Sequence, residues 1–366
     1  MSRVALLSPY SLGVPGGVQE QVLAMSRELA RRGHEVLVVA PDAADHATYD
    51  TPARLVRVGA LVSMPANGSR APLTLSPRAP GAARRAVAAF APDVVHLHEP
   101  FAPLAGWGVL RAHAAPSVGT FHRAGAGPAL TLTRPLLRAF ARHLDEAAAV
   151  SDAAARTIHA ATGLTPTVLF NGFEVERFVE YPRERRAEIE VLFVGRLEDR
   201  KGAAVALEAV RTHNEGDGAP WRLVVIGDGP QRARLEARAA REHRVRFLGA
   251  VDDEAKRRWL RRAAVVVAPS THGESFGMTL LEAMASETPV VASDIDGYRE
   301  AAGGHATLVA PGDPVDLEAG IAAALAASSA SITAAREHAA RWSMRRLMDE
   351  YEAIYARAGE RFATRR

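Results

Sequence analysis

Short apolar runs alternate along the chain with longer stretches in which alanine, leucine and arginine recur at helical spacing. The first half carries such runs at 3–8, 35–40, 54–58, 94–98, 117–120, 147–150 and 167–170. The second half repeats the pattern at 191–194, 223–226, 246–248, 265–268, 289–292 and 307–309. Each is short for a helix and mostly apolar, as strands covered on both faces of a parallel sheet tend to be. Residues 19–32, 80–90, 203–210 and 230–242 read as helices between them. Regular strand-helix alternation predicts an α/β protein with doubly wound parallel sheets. Two such series predict two Rossmann-like domains, 1–172 and 173–343, divided at Asn171-Gly172 and the polar stretch that follows. Ligands of such sheets bind beyond the carboxyl ends of the strands, so the expected site is a cleft where two domains face each other. The segment 344–366 reads as an amphipathic helix with Leu347, Tyr351, Ile354 and Tyr355 on one face. It can close the second domain or cross back onto the first; packing on the first is the expectation.

At 366 residues, with 48% apolar and 24% charged side chains, the chain is long enough for two globular cores. It has no cysteine, which excludes disulfides, thiolate metal sites and a cysteine nucleophile. No apolar run approaches the roughly 20 residues that span a bilayer. The N-terminus enters a strand directly, without the apolar core of a signal peptide. A cytoplasmic protein is therefore expected. Its net charge of +3 is unevenly spread: residues 51–144 hold eleven arginines against the two acids Asp93 and Glu99, a local charge of +9. Such a concentration suggests a polyanionic partner, either nucleic acid or an anionic membrane surface. No nucleic-acid motif accompanies it. The expectation is peripheral attachment to the inner face of the cell membrane through Arg78, Arg84 and Arg85, with Val87 and Phe90 entering the headgroup layer.

Only two of the 45 basic side chains are lysines. One closes Gly195-Arg196-Leu197-Glu198-Asp199-Arg200-Lys201-Gly202, at a strand-to-helix junction. Lysine is a compact point charge and arginine a rigid fork, and cations with a glycine turn at such a junction suit a diphosphate. On this stretch alone, a solvated charged loop is an equally good reading. Downstream, His272-Gly273-Glu274-Ser275-Phe276-Gly277-Met278 leads from a buried strand into a helix that carries Glu282. A helix N-terminus suits phosphate, and the two acids, about two turns apart, suit sugar hydroxyls. Gly16-Gly17 follows the first strand and allows close backbone approach to a ligand, or forms a plain tight turn. His98-Glu99-Pro100 and Thr120-Phe121-His122 each end a strand at the edge where function lies. Asp294-Ile295-Asp296 has the form of an Asp-X-Asp metal site, but nothing near it completes an oxygen-ligand set. It reads as a turn, and no metal is expected.

Taken in order, Gly16-Gly17, His98-Glu99-Pro100, His122, Asn171-Gly172, Arg196…Lys201-Gly202, Gly227-Asp228-Gly229-Pro230, Phe247-Leu248-Gly249 and Glu274…Glu282 resemble the retaining glycosyltransferases of family 4, which have the GT-B fold. The resemblance covers nearly the whole chain. Within that family, Pro9-Tyr10-Ser11, Val14-Pro15-Gly16-Gly17-Val18-Gln19, Asn67-Gly68-Ser69, Val251-Asp252-Asp253 and Val291-Ala292-Ser293-Asp294 are similar to the bacterial phosphatidyl-myo-inositol mannosyltransferases. That resemblance implies roles. Arg196 and Lys201 would hold the donor diphosphate, Gly16 and Gly17 would offer backbone to it, and Ser275, Phe276, Gly277 and Met278 would line its helix N-terminus. Glu282 would take the ribose, Glu274 the transferred hexose, and Asp253 and Lys256 the guanine, with Val251 also in the donor site. His122 would touch the sugar near the reacting centre, and Tyr10, Asn67, Ser69 and Arg200 would bind the inositol phosphate. The chain departs from the mannosyltransferase pattern at Gly13, where an acid is usual, and in the loop after His122, where a basic residue is usual.

The expected activity is thus a metal-independent transfer of a hexose, mannose from GDP-mannose, to an anionic lipid such as phosphatidylinositol. The same fold with a UDP-sugar and a soluble acceptor is the nearest alternative. A sugar-nucleotide epimerase and a non-catalytic membrane-surface binding protein are alternatives of other classes.

Overall fold

The computed structural model describes every residue except 14–15, 42–48, 67–68, 75, 103–105, 124–132, 184–187, 275 and 366; for 61–66 and 69–72 it describes the backbone alone. Contacts divide the chain into two units. Unit 1 is Met1–Phe173 with Trp342–Arg366, and unit 2 is Glu174–Arg341.

Unit 1 contains β1 (Arg3–Leu7), β2 (Glu35–Ala40), β3 (Arg54–Arg57), β4 (Leu61–Ala66), β5 (Ser69–Thr74), β6 (Val94–His98), β7 (Ser117–Phe121), β8 (Glu146–Ala149) and β9 (Thr167–Val168). Seven of these form a sheet in the order β3-β2-β1-β6-β7-β8-β9, every pairing parallel. Order reverses beside β1, and there the carboxyl ends of β1 and β6 diverge into loops. The strands β4 and β5 pair antiparallel, apart from that sheet.

Successive residues of β1 and β2 face opposite ways, and both faces are buried. Ala5, Leu7, Leu37 and Val39 join a core with Ala83, Val87 and Phe90 of α2 (Ala79–Phe90). Val4, Leu6, Val36 and Val38 join another with Val22, Met25 and Leu29 of α1 (Gly17–Arg31). The C-terminal helix, Met344–Thr364, completes this second core with Leu347, Met348, Tyr351 and Ile354. Four large side chains buried there contribute roughly 1.5–3 kcal/mol each. Polar ties add register: Arg32 pairs with Asp349 at 2.8 Å and Glu352 at 3.0 Å, and Arg365 reaches Asp145 at 3.1 Å.

The α2 helix corrects one expectation. Val87 and Phe90 are 6% exposed and belong to the core, so they are not free to enter a headgroup layer. Amphipathicity identified an apolar face, and the sheet takes it. Arg84 and Arg85 lie on the exposed side of α2, and Arg78 is exposed at its start.

Unit 2 holds β10 (Ile189–Val194), β11 (Trp221–Ile226), β12 (Val245–Gly249), β13 (Val265–Ala268), β14 (Val290–Ser293) and β15 (Thr307–Val309). They form a parallel sheet in the order β12-β11-β10-β13-β14-β15. Order again reverses at the first strand of the series, between β10 and β13. Among the described residues no single helix is long and apolar enough to cross a membrane.

Candidate functional site

In unit 2 the expected donor residues gather beyond β10 and β13. After β10 the chain passes Arg196 and makes one 3₁₀ turn, Asp199–Lys201. Gly202, at φ +73°, ends that turn and starts the helix Ala203–Asn214. This loop is stitched to the one after β13: the Thr271 amide donates to the Arg200 carbonyl at 2.8 Å, and Arg200 Nη1 donates to the Gly273 carbonyl at 3.2 Å. Glu274 sits at the junction. Its Oε1 receives Lys201 Nζ at 2.5 Å, Arg200 Nη1 at 3.0 Å and Ser270 Oγ at 3.2 Å. Arg196 is half-exposed and pairs with Glu198 at 3.0 Å, while Arg200 also pairs with Glu198 at 3.1 Å. Two cations of one loop, Arg200 and Lys201, therefore converge on the Glu274 carboxylate, with Arg196 at the open edge paired to Glu198. Arg200, expected at the acceptor, is tied here to Glu274 and Glu198 within unit 2.

Tyr298 supports Glu274 from behind: its hydroxyl lies 2.8 Å from Ser270 Oγ. Burial, and then the Glu274 carboxylate, push the phenol well above its ordinary pKa. Gly277, at φ +88°, has no side-chain cap and opens the helix Met278–Ala285, the segment carrying Met278 and Glu282. Phe276 precedes it and is half-buried. Ser275 lies outside the described residues.

A second charged group forms in the same unit. The helix Asp253–Arg262 follows Val251 and is capped by Asp252, which accepts from the Ala255 amide at 2.7 Å. Lys256 Nζ lies 2.8 Å from Glu282 and 3.3 Å from Asp253. Burial works to lower the lysine pKa, but Glu282 and Asp253 outweigh it and hold the amine firmly charged. Asp253 also pairs with the buried Arg257. The residues expected at ribose and base are thus joined by one lysine. The Asp-X-Asp pair, by contrast, is taken by an arginine: Arg299 pairs with Asp294 and, at 2.9 Å, with Asp296.

In unit 1 a group of polar side chains gathers at the carboxyl ends of β1, β6 and β7. Glu99 follows β6 with a left-handed backbone, φ +44°, a conformation that costs a non-glycine residue energy. Its Oε1 accepts the backbone amides of His122 at 2.6 Å and Arg123 at 2.7 Å, holding the end of β7. Tyr10, after β1, is half-buried; burial and the Glu99 carboxylate raise its pKa to about 12, with Arg123 opposing. His98 Nδ1 lies 2.9 Å from His122 Nε2, bringing the two strand-end histidines together. Gly16 caps α1 with φ −176°, an extended backbone open to any residue, and no side chain obstructs Gly17 within 4 Å. An added Cβ at Gly16 would stand 2.5 Å from the side-chain oxygen of Gln19. Asn67 lies outside the described residues, Ser69 starts β5 with its side chain undescribed, and residues 124–132 lie outside as well.

Sequence reasoning passed over His96, Ser270, Tyr298 and Arg257. His96 carried a signal, since it shares a strand face with His98 two residues on. The others carried none, because only the fold brings them to the site.

Burial lowers His96 to about 3, His122 to about 4, and His98 well below its usual value. Each is neutral in the fold, whereas an unfolded histidine takes up a proton below about pH 6.5. Stability is therefore complete above that pH and falls as pH drops toward the folded pKa values. His96 alone should cost roughly 2 kcal/mol by pH 5. Denaturant titrations of the full chain at pH 7, 6 and 5 measure this. A flat profile across that range would contradict the buried neutral cluster.

Residues 15–177 match the family described as Glycosyltransferase Family 4, and residues 188–327 match Glycosyl transferases group 1. The chain is 39% identical to the phosphatidyl-myo-inositol mannosyltransferase of Mycobacterium tuberculosis, over 87% of this chain and 84% of the relative. It is 31% identical to the glycogen synthase of the same organism, over 96% of this chain and 91% of the relative. Among solved structures, a glycosyltransferase from Rickettsia africae superposes with a TM-score of 0.74 at 15% identity, covering 98% of each chain. That last likeness speaks for the fold, GT-B. The full-length similarity to the mannosyltransferases speaks for more: this chain is a glycosyltransferase of family 4 and belongs with the bacterial phosphatidyl-myo-inositol mannosyltransferases.

Proposed function

We propose that the enzyme transfers mannose, with retention, from GDP-mannose to an inositol hydroxyl of phosphatidylinositol, and needs no divalent metal. The observation that carries this reading is the convergence of Lys201, Arg200 and Ser270 on Glu274, with Arg196 on the same loop as the two cations. Unit 2 residues are assigned to the donor. As the bond to the sugar breaks, negative charge grows on the diphosphate, and Arg196, Lys201 and the helix start at Gly277 stabilise it. Glu274 takes the hexose, Glu282 the ribose, and Lys256 with Asp253 the base. Unit 1 residues His122 and Tyr10 are assigned to the sugar and the acceptor. A phosphate oxygen of the leaving group can take the acceptor's proton, so no protein nucleophile enters the scheme. Mannose and the lipid acceptor rest on the similarity to the named mannosyltransferases.

Incubation with labelled GDP-mannose and a lipid extract, in EDTA, should give a mannosylated lipid whose anomeric configuration matches the donor. Transfer from UDP-sugars alone into a water-soluble product would overturn the substrate reading. Loss of activity in EDTA, restored by magnesium, would overturn the metal reading and point back to Asp294 and Asp296.

The arginine-rich face of unit 1 supports peripheral attachment to anionic lipid. Because Val87 and Phe90 are core residues, attachment by α2 is electrostatic, about 1 kcal/mol for each basic residue near the surface, and it is screened by salt. The protein should sediment with anionic vesicles at low salt, not with neutral ones. Replacing Arg78, Arg84 and Arg85 by glutamine should weaken this. Equal sedimentation with both vesicle types would sink the electrostatic account.

A further inference from the structure

Behind the strand ends of unit 1 runs a chain of buried polar side chains to which the transfer reaction assigns no role. Tyr351 Oη, on the C-terminal helix, lies 2.8 Å from Thr120 Oγ1, which lies 2.7 Å from His96 Nε2. Tyr355 Oη, one turn further along that helix, lies 2.8 Å from His96 Nδ1. Both ring nitrogens of His96 thus face hydroxyls. His96 stacks on His98, with ring centroids 4.6 Å apart at 16°, and His98 lies edge to edge with His122, centroids 5.2 Å apart and planes at 24°. The middle ring is 2% exposed. Its Nδ1 faces His122 Nε2 at 2.9 Å, and its Nε2 finds no partner among the described residues.

Two neutral imidazoles that meet through one nitrogen pair share one proton there, and two arrangements are open. In one, His98 Nδ1–H donates to His122 Nε2. His98 Nε2 is then a bare lone pair, and the His122 proton sits on Nδ1. In the other, His122 Nε2–H donates to His98 Nδ1, and His98 must bury an N–H that has no acceptor among the described residues. Orphaned buried N–H groups are the rarer defect, and an unmet donor carries a full desolvation cost. The first arrangement is favoured. His96 cannot relieve the second, since both its nitrogens are already occupied and its ring lies stacked on the face of His98, away from that edge.

We propose that His98 is a positioning residue that holds His122 in its Nδ1–H form, so that His122 meets the sugar as a hydrogen-bond donor and has no free lone pair with which to act as a base. In a neutral histidine the bond made by one nitrogen decides what the other presents. Here His122 Nε2 is engaged by His98, and only Nδ1–H remains for a ligand. The stack from Tyr351 and Tyr355 through His96 keeps the His98 ring from turning. The functional consequence rests on the assignment of His122 to the sugar; the proton's position does not.

Long-range proton–nitrogen spectra of the full chain, labelled at histidine nitrogens, read the tautomer directly, with His122 identified by its loss in His122→Phe. The expected result is a protonated Nδ1 and a bare Nε2 on His122. A protonated Nε2 overturns the proposal, and this measurement needs neither a variant at His98 nor a substrate. His98→Leu should move the His122 proton to Nε2 and lower kcat roughly tenfold, with donor KM little changed. His98→Asn, which places an amide N–H where Nδ1 stood, should restore the tautomer and most of the turnover. If His98→Leu loses turnover while His122 keeps its proton on Nδ1, His98 only packs and the proposal falls. If the tautomer is as stated but wild-type protein transfers nothing from GDP-mannose, the functional reading and the consequence for the sugar fail, and the control of the His122 proton by His98 stands.

Discussion

Lys201→Ala is expected to cut transfer by roughly two to three orders of magnitude, the value of one well-placed charge on a developing anion. It should do so without a comparable loss of stability. Lys201 ends its loop beside Glu274, and Arg200 and Ser270 still satisfy that carboxylate when the lysine is gone. Melting temperature and turnover should therefore separate, which a general structural defect would not allow. Lys201→Arg should also fail to restore activity. The ammonium reaches Glu274 at 2.5 Å with the Arg200 guanidinium already on the same oxygen. A second planar fork does not fit where a point charge does. Arg196→Ala, at the open edge, should lose activity with even less effect on melting. Stopped or steady-state assays with labelled donor measure all three. Near-normal turnover in Lys201→Ala would remove the donor assignment.

Gly202→Ala should be among the most damaging single methyls in unit 2. Its backbone is left-handed at φ +73°, and an added Cβ would stand 1.9 Å from the Pro269 carbonyl oxygen. Left-handed strain costs roughly 1–2 kcal/mol, and forced overpacking against backbone adds about 1–3 kcal/mol. Together they predict a loss near 3 kcal/mol and a melting temperature lower by about 6–12 °C for a domain of this size. The contact is also the place where the phosphate loop crosses the end of β13, so donor binding should fall with stability. Gly304→Ala is the control: φ is +84°, yet nothing lies within 4 Å of the added Cβ. Only the conformational cost applies there, roughly 1 kcal/mol. Equal melting temperatures for the two variants would mean that the Pro269 contact yields.

The parallel sheets were legible because their strands are buried on both faces. A run such as Val265-Val266-Val267-Ala268 has no polar alternation to confuse it, and the structure places β13 there. The pair β4 and β5 was missed. Pro65 and Pro72 argue against strands, although Asn67-Gly68 between alternating residues is a known hairpin signal. Lipid-facing Val87 and Phe90 were misread for a different reason. Periodicity finds the apolar face of α2, but it cannot say whether a sheet or a membrane covers it. At the candidate site, side chains on motifs were visible: Arg196, Lys201, Glu274, His98 and His122. Their supports were not. Ser270 and Tyr298 are 28 residues apart in sequence and meet only because β13 and β14 are neighbours.

The C-terminal helix gives unit 1 an unusual order of completion. The chain leaves unit 1 at Phe173 and re-enters it at Trp342, so unit 2 is an insertion within it. On the ribosome, the sheet face lined by Val4, Leu6, Val36 and Val38 is made first, and the Tyr351 and Ile354 that cover part of it come only after unit 2. Domains tend to fold as units in the order they are synthesised. Here the inserted unit can close before the one that began first. Until translation passes the helix, the nascent chain carries an uncovered apolar sheet face and a buried-histidine cluster without its tyrosines, which makes that interval the one in which trigger-type chaperones and proteases have most to act on.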